Sequence, residues 1–181
     1  MVDHTTLVVV LFAVVAVQRW SEVWLSVRNG RWARARGAVE VGRRHYRFLV
    51  ALHVAWILAF PAEALLRGQA PPPAVTALAL AGFVVAQIFR YAAIVTLGRR
   101  WNTRILVLPG QPPIRRGIYR YLRHPNYVAV VLELACVPVA VGAYVTAAVV
   151  SAVNLLVLRF VRIPAEERAL AEATRARPEP P

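Results

Sequence analysis

The chain has 181 residues, 59% of them hydrophobic, and a mean hydropathy of +0.52. Soluble domains are typically about 45–50% apolar, so this composition excludes an ordinary soluble domain and indicates a membrane protein. The positive charge behind the net +13 comes entirely from arginine, because the chain has no lysine. Its basic segments alternate with long apolar runs. A nucleic-acid-binding protein does not show this pattern, so we expect no nucleic-acid partner.

The first apolar run predicts a membrane span from about Thr5 to Val27, which is long enough for a bilayer core of about 30 Å. The ionisable side chains before it are Asp3 and His4, without the basic segment of a signal peptide, so we expect the span to be retained. Near its end Arg19 and Glu22 lie three residues apart on one helix face. They can form an ion pair with each other, or Arg19 can face a substrate.

Four more spans are predicted along the chain. Span 2 covers about Tyr46 to Leu66 and span 3 about Val75 to Leu97, and a proline-rich turn, Arg67–Ala74, joins them. The apolar block Tyr127–Val161 is interrupted at Gly142–Tyr144. It therefore predicts spans 4 and 5 as a short helical hairpin, which either crosses a thin region of the bilayer or packs inside the bundle.

The predicted fold class is all-α, an integral membrane bundle of about five transmembrane helices whose last two form the short hairpin. We expect one domain over residues 1–181, with a disordered tail at 171–181. Five spans place all three arginine-rich segments on the same side of the bilayer. By the positive-inside rule that side is cytoplasmic, so the N terminus is predicted outside and the C terminus inside. Nineteen of the 22 arginines fall in these segments, Arg28–Arg47, Arg99–Arg123 and Arg159–Arg177.

Several common catalytic and metal-binding motifs are missing from the sequence. There is no G-x-G, so the dinucleotide fingerprint is absent, and there is no Walker A, H-E-x-x-H, C-x-x-C or G-x-S-x-G motif. Cys136 is the only cysteine and lies in an apolar run, so we expect a buried core residue and no disulfide. His45, His53 and His124 do not have the spacing of a ligand set, so no metal site is predicted.

Two polar clusters carry the chemistry that the sequence does contain. The first is the basic segment Arg99–Tyr127, and the second is RFVRIPAEER, Arg159–Arg168. We expect them to meet at the membrane surface and to hold an anionic or nucleotide-like cofactor. The alternative is that both clusters are simply the solvated cytoplasmic face that most arginine-rich loops form.

A proline in each cluster is predicted to break or start a helix. Pro125 biases His124 away from the α region, so a helix should begin there and expose N–H groups that suit an anion. Pro164 is predicted to interrupt the helix between Arg162 and Glu166. Glu166 could accept hydrogen bonds from ribose hydroxyls, and Arg162 could orient an anionic or phenolate oxygen.

The order and spacing of these residues resemble the isoprenylcysteine carboxyl methyltransferase family. The resemblance rests on G-x-Y-x-x-x-R-H-P-x-Y (Gly117–Tyr127), an apolar hairpin, and R-F-x-R-x-x-x-E-E (Arg159–Glu167). It covers about Leu97 to Leu170, the expected cofactor-binding part. It implies an integral membrane enzyme that uses S-adenosylmethionine.

The N-terminal half is similar to a bacterial branch of this family. The similarity rests on short motifs that include R-W-S-E (Arg19–Glu22) and L-G-R-x-W-N-T (Leu97–Thr103). That branch is associated with type III polyketide synthases and methylates hydroxyls of alkylpyrones or alkylresorcinols. The resemblance therefore implies a multi-pass protein of the bacterial inner membrane, a lipophilic small-molecule acceptor and a functional link to such a synthase.

The resemblance also implies roles for individual residues. Arg162 faces the acceptor. Gln111 and Ile114 are carried over although the segment around them departs from the pattern of the prenylcysteine enzymes. The residues implied in cofactor binding are Tyr119, His124, Pro125, Asn126, Tyr127 and Glu166, with Gln111 and Ile114 added.

Glu133 is a second departure from the family pattern. A carboxylate inside a span is costly and often functional. It could accept the proton of a phenolic acceptor, which has a pKa of about 10 and needs a base or a cationic neighbour to ionise. The alternative is an ion pair with an arginine such as Arg90. His53 is a further candidate for the base.

The function that we expect is O-methylation of a lipophilic acceptor by a membrane-embedded enzyme that depends on S-adenosylmethionine. The acceptor group would be a phenolic or enolic hydroxyl of an alkylresorcinol or alkylpyrone. Other hypotheses are carboxyl methylation of a prenylcysteine-like substrate, a membrane reductase of the steroid-reductase type that uses NADPH, and a non-catalytic scaffold or small transporter.

Overall fold

The computed structural model describes residues 3–175, and these are mostly helical. Short 3₁₀ turns lie at Gly98–Arg100 and Gly117–Arg120, and a π-helical turn at Leu158–Arg162 joins the last two helices. The described part of the chain forms six α-helices and two short strands. In chain order these are α1 (His4–Arg34), β1 (Val39–Val41), α2 (Arg43–Arg67), α3 (Pro73–Leu97), β2 (Ile105–Val107), α4 (Pro125–Ala140), α5 (Tyr144–Val157) and α6 (Ile163–Arg175).

The predicted all-α fold class is confirmed. By length and composition four helical segments could cross a membrane, and α4 is a shorter apolar helix of 16 residues. α4 and α5 form the predicted hairpin, but its second arm is not short, because α5 runs on into α6 as one stretch of 32 residues. The four long segments are His4–Arg34, Arg43–Arg67, Pro73–Arg100 and Tyr144–Arg175.

α4 lies inside the bundle, where it packs against α3 and α5. Its Leu134 and Val137 are buried in one core with Trp56 and Phe60 of α2. Pro138 has no N–H to donate to the carbonyl of Leu134 four residues earlier. Trp56 Nε1 donates to that carbonyl at 3.2 Å instead. Because lipid offers no hydrogen-bond partners, this tryptophan completes the backbone bonding of α4.

α1 continues to Arg34, seven residues beyond the end predicted for span 1 at Val27. The arginine-rich segment predicted to begin as a loop at Arg28 is therefore helical in its first part. From Gln18 to Asn29 the inner face of this extended helix is polar, with four buried side chains about one turn apart. They are Gln18, Glu22, Ser26 and Asn29.

A two-stranded antiparallel sheet, not predicted from the sequence, connects β1 to β2. Its register pairs Val39 with Val107, Glu40 with Leu106 and Val41 with Ile105. On one side of the sheet, Ile105 and Val107 pack against Ala169 of α6. β1, β2 and α6 each belong to a different arginine-rich segment, so these contacts bring all three segments to the same end of the bundle. The prediction of five spans requires this arrangement.

The helix passes through Pro164, so the predicted interruption between Arg162 and Glu166 is wrong. In the π-helical turn just before it, the N–H of Ile163 donates to the carbonyl of Leu158, five residues earlier. The wider turn leaves room for the proline ring, which would otherwise clash with the carbonyl four residues before it. Arg162 and Glu166 consequently lie one turn apart on a continuous helix.

The end of α6 is held by contacts with the rest of the basic end. The N–H of Gly110 donates to the carbonyl of Ala173 at 3.0 Å, and Ala173 also packs on the core around β2. Residues 171–175, which the sequence placed in a disordered tail, are therefore helical. The rest of that predicted tail, 176–181, lies outside the described residues.

A buried ion cluster joins α1, α3 and α4. The predicted pair of Arg19 and Glu22 is present, with 2.8 Å between Nη1 and Oε2. Arg90 contacts Glu22 at 3.4 Å (Nη1–Oε2), and both Arg19 and Arg90 contact Glu133. Of the two roles considered for Glu133, the ion pair with Arg90 is the one that the structure shows. Two guanidinium groups and two carboxylates balance in charge, which lowers the cost of placing them in an apolar bundle.

We expect the charge balance of this cluster to contribute more to the stability of the fold than any single ion pair does. Glu133→Leu should lower the free energy of unfolding by about 3–5 kcal/mol, because it leaves a buried guanidinium uncompensated. Adding Arg90→Met should recover most of that loss, since Arg19 then remains paired with Glu22. Unfolding of Glu133→Leu, Arg90→Met and the double variant in detergent tests this. Additive losses in the double variant would contradict it.

Candidate functional site

A cleft at the basic end of the bundle lies where α4 begins, α6 begins and α3 ends. We call it the Arg162 cleft. Its volume is about 70 Å³, room for two or three waters at about 30 Å³ each. It is lined by Leu97, Trp101, Asn102, Thr103, Arg104, Tyr119, His124, Asn126, Tyr127, Arg162 and Glu166.

Arg162 connects the three segments that form the cleft. It is 4% exposed, and its position at the end of the π-helical turn directs its guanidinium inward. Nε donates to the hydroxyl of Tyr127 at 3.0 Å, and Nη2 donates to the carbonyl of Thr103 at 2.7 Å. Within residues 3–175, its buried Nη1 has no hydrogen-bond partner. One charged donor in the cleft is thus available to an oxygen of a ligand.

The first turn of α4 faces the first turn of α6. The hydroxyl of Tyr127 donates to Oε2 of Glu166, and the His124 ring lies 3.2 Å (Nε2) from Oε1 of Glu167. The rings of His124 and Tyr127 stack with centroids 5.5 Å apart. The two polar clusters of the sequence therefore meet, as predicted, and present aromatic faces beside a carboxylate.

The start of α4 differs in one respect from the sequence-based expectation. His124 is outside the α region, with φ −132° and ψ 58°, and the helix begins at Pro125, both as predicted. The N–H groups of Tyr127 and Val128, however, donate to the carbonyl of His124 at 3.1 and 3.3 Å. These two N–H groups already donate to the backbone. The donors left to bind an anion in the cleft are therefore mainly Arg162 and side-chain amides.

Tyr119 reaches the cleft from the 3₁₀ turn Gly117–Arg120. Burial raises the pKa of its phenol well above the ordinary value, and the nearby carboxylate of Glu166 raises it further. Tyr119 is therefore a neutral hydrogen-bond donor at physiological pH. It can donate to a ligand without adding a charge to the cleft.

The segment after α3 forms one wall of the cleft, and no site residue was predicted in it. Trp101 is 1% exposed, so its ring packs inside the protein. Polar residues of α1 hold the segment in place. Asn29 donates to the carbonyl of Trp101 at 2.8 Å, and Ser26 donates to Oδ1 of Asn102 at 2.9 Å. In the sequence this segment carries the motif L-G-R-x-W-N-T. The motif contributed to the family resemblance, but no site residue was predicted from it.

The structure brings together six of the ten predicted site residues. Pro125 starts α4 but does not line the cleft, and neither do Gln111 and Ile114, which lie in the preceding loop. Glu133 is in the ion cluster, and His53 is bonded to the carbonyl of Leu49 at 2.8 Å. The six residues that line the cleft are Tyr119, His124, Asn126, Tyr127, Arg162 and Glu166. Which ligand these six residues bind stays a prediction.

Metal ligation finds no support in this part of the molecule. Among the residues that the structure describes, no group of three or more histidine, cysteine, aspartate or glutamate side chains could hold a metal ion. Glu166 and Glu167 are bonded to Tyr127 and His124 instead. The cleft thus offers hydrogen-bond donors, one carboxylate and aromatic rings.

The long apolar helices indicate a multi-pass membrane protein, and the cleft lies at the basic end of their bundle. Residues 77–172, more than half of the chain, match the model of the isoprenylcysteine carboxyl methyltransferase (ICMT) family. The chain belongs to this family, so the resemblance on which the site residues were predicted is confirmed. Family membership suggests a methyltransferase.

Two relatives match nearly the whole chain. The uncharacterized protein YpbQ of Bacillus subtilis (strain 168) is 38% identical over 162 residues, 90% of this chain and 95% of its own length. An uncharacterized protein of Haemophilus influenzae (strain ATCC 51907 / DSM 11121 / KW20 / Rd) is 30% identical over 164 residues, 90% of this chain and 94% of its own. No solved structure matches significantly.

The hydroxyl of Tyr127 is expected to stabilise the cleft, because it both donates to Glu166 and accepts from Arg162. Tyr127→Phe leaves two charged groups short of a partner and should lower the free energy of unfolding by about 1–3 kcal/mol. The matched control is Tyr121→Phe, since Tyr121 is 79% exposed. Thermal unfolding in detergent compares the two. Equal stability of both variants would contradict the assignment.

Proposed function

We propose that this protein is a membrane-embedded O-methyltransferase that depends on S-adenosylmethionine and acts on a lipophilic acceptor. The supporting observation is that Tyr119, His124 and Glu166, from three separate segments, line one cleft. The match to a methyltransferase family points in the same direction. A reductase of the steroid-reductase type would need NADPH, and the binding test below distinguishes it from a methyltransferase.

The residues of the Arg162 cleft fit the functional groups of this cofactor. When bound, S-adenosylmethionine would supply a methyl group activated on a sulfonium. Glu166 would accept hydrogen bonds from ribose hydroxyls, and the rings of His124 and Tyr127 would contact the base or the sulfonium. The unpaired Nη1 of Arg162 would bind a carboxylate or orient the oxygen of the acceptor.

A nucleoside is larger than the 70 Å³ of the cleft, so binding must widen it. We propose that the turn that carries Tyr119 is the wall that moves, because its neighbours Arg120 and Tyr121 are exposed. The other walls are the starts of α4 and α6 and the segment after α3, and Arg162 ties them together. Alignment of two substrates and exclusion of water are the main tasks of a methyl-transfer site, so closure around the ligand suits the reaction.

The proposed acceptor is an alkylresorcinol or alkylpyrone, methylated on a phenolic or enolic hydroxyl. Its support is the similarity of the N-terminal motifs to the branch associated with type III polyketide synthases, and we propose a functional link to such a synthase. The geometry does not favour Glu133 as the base, because two arginines already engage it. Carboxyl methylation of a prenylcysteine-like substrate remains the alternative that the acceptor assay tests.

The proposed location is the bacterial inner membrane, with the N terminus outside and the C terminus inside. The apolar helices and the family point to a multi-pass membrane protein. The three arginine-rich segments meet at the end that carries the Arg162 cleft, and the positive-inside rule makes that end cytoplasmic. A water-soluble cofactor would then enter from the cytosol, and a lipophilic acceptor would enter from the bilayer.

Binding of S-adenosylhomocysteine by the purified, detergent-solubilised protein tests the proposed cofactor. Isothermal titration calorimetry should detect binding to the native chain. Tyr119→Ala, His124→Ala and Glu166→Ala should each weaken it by about tenfold or more, the cost of losing a bond to a charged or buried group. Tyr121→Ala is the matched control and should bind normally. Binding that survives all three substitutions would refute the site, and binding of NADPH instead would refute the cofactor.

Transfer of a labelled methyl group tests the proposed acceptor. In detergent micelles the native chain should methylate an alkylresorcinol or alkylpyrone and leave a prenylcysteine unmodified, because the segment around Gln111 departs from the prenylcysteine enzymes. Arg162→Lys should lower kcat, since a lysine cannot keep both existing bonds and also reach the acceptor. Labelling of prenylcysteine alone would overturn the proposed acceptor.

A further inference from the structure

A second and larger cavity lies between α1 and α2, next to the Arg162 cleft. We call it the α1–α2 cavity. Its volume is about 680 Å³, within the usual range of about 300–1,000 Å³ for small-molecule sites. Asn102, Thr103 and Arg104 line both cavities, so the segment after α3 forms a wall common to them.

The α1–α2 cavity is strongly basic at one end and apolar along one side. Glu40 accepts from Arg34 at 2.8 Å and from Arg104 at 2.6 Å, and these bonds outweigh the effect of burial and hold the pKa of its carboxyl below the ordinary value. Val23, Val27 and Val50 supply the apolar side. The charged side chains that line the cavity are Arg31, Arg34, Arg43, Arg47, Arg104 and Glu40, five cations against one anion.

In neither cavity is a carboxylate free of hydrogen bonds among the described residues. Glu40 is bonded to arginines, Glu166 to the hydroxyl of Tyr127, and His124 lies against Glu167. Tyr46, the phenol in the α1–α2 cavity, lies 3.2 Å from Oγ1 of Thr103. A neutral phenol with a pKa of about 10 would be ionised to only about 0.1% at pH 7. The site therefore suits an acceptor that arrives already ionised.

We infer that the α1–α2 cavity binds the methyl acceptor as an acidic amphiphile, with its ionised oxygen among the arginines and its alkyl chain along the valines. This inference rests on the proposed function and narrows its substrate class to acids such as the enol of an alkylpyrone, in preference to a neutral alkylresorcinol. Arg31 and Arg47 hold the head group, because neither is in an ion pair within residues 3–175.

The reaction of such an acceptor needs no base. The ionised oxygen forms a bond to the methyl carbon, and the bond between that carbon and sulfur breaks with its electron pair remaining on sulfur. The negative charge on the oxygen and the positive charge on the sulfonium cancel, so no proton has to move. The arginines raise the local concentration of the anion and fix its orientation.

The test compares an alkylpyrone with an alkylresorcinol of the same chain length, using the full chain in detergent micelles. The double variant Arg31→Gln, Arg47→Gln should raise KM for the alkylpyrone by about tenfold or more. The affinity of the double variant for S-adenosylhomocysteine should stay unchanged. Arg28→Gln and Arg36→Gln are matched controls, because both arginines are exposed and neither lines the cavity. Thermal unfolding checks that all variants are folded.

The pH profile gives a second readout. Between pH 6.5 and 8.5, kcat/KM for the alkylpyrone should be flat, whereas that for the alkylresorcinol should rise about tenfold per unit as its phenol ionises. Two outcomes would overturn the inference. One is equal, pH-independent use of both acceptors, and the other is a loss of S-adenosylhomocysteine affinity in the double variant as large as its rise in KM.

Direct binding separates this inference from the proposed function. The alkylpyrone alone is titrated against the native chain and the double variant, without any cofactor. If the native chain binds it and the double variant does not, the cavity assignment holds even where no methyl transfer is found. If methyl transfer occurs but the two proteins bind the alkylpyrone equally, the proposed function stands and the cavity assignment fails.

Discussion

The site depends on one side chain, Arg162, whose guanidinium bonds to α4 through Tyr127 and to the segment after α3 through Thr103. Burying an arginine is costly unless its donors are met by fixed acceptors. Nε donates to a phenol and Nη2 to a backbone carbonyl, and the third nitrogen, Nη1, has no partner within residues 3–175. The same residue thus assembles the site and presents a charged donor inside it.

Three buried polar residues of α1 follow the same physical constraint. Lipid cannot satisfy a buried donor or acceptor, so each needs a protein partner. Along α1, Glu22 is neutralised in the ion cluster, whereas Ser26 and Asn29 bond to the segment that lines both cavities. The polar face of the first helix therefore fixes the wall of a site that lies mainly in the second half of the chain. The α1 face and α6 hold the wall from opposite sides.

Features governed by local chemistry could be predicted from the sequence, and those set by distant contacts could not. The apolar spans, the helix start at Pro125 and the pair of Arg19 and Glu22 follow from composition and short spacing. The end of α1 at Arg34 depends on partners about 70 residues away. Likewise the π-helical turn before Pro164 and the burial of Trp101 arise from packing that a linear pattern does not contain. For the site, the family motif indicated the residues, but only the fold shows that Glu133, Gln111 and Ile114 lie apart from the cleft.

The central claim is that two polar clusters, far apart in sequence, bind one nucleoside cofactor at the basic end of the bundle. An experimental structure of the detergent-solubilised chain with saturating S-adenosylhomocysteine tests it most directly. The account predicts the ligand in the Arg162 cleft, with Glu166 and the segment around His124 contacting the same molecule and the turn of Tyr119 displaced outward. A ligand that contacts only one of the two clusters, or that lies elsewhere in the bundle, would contradict it.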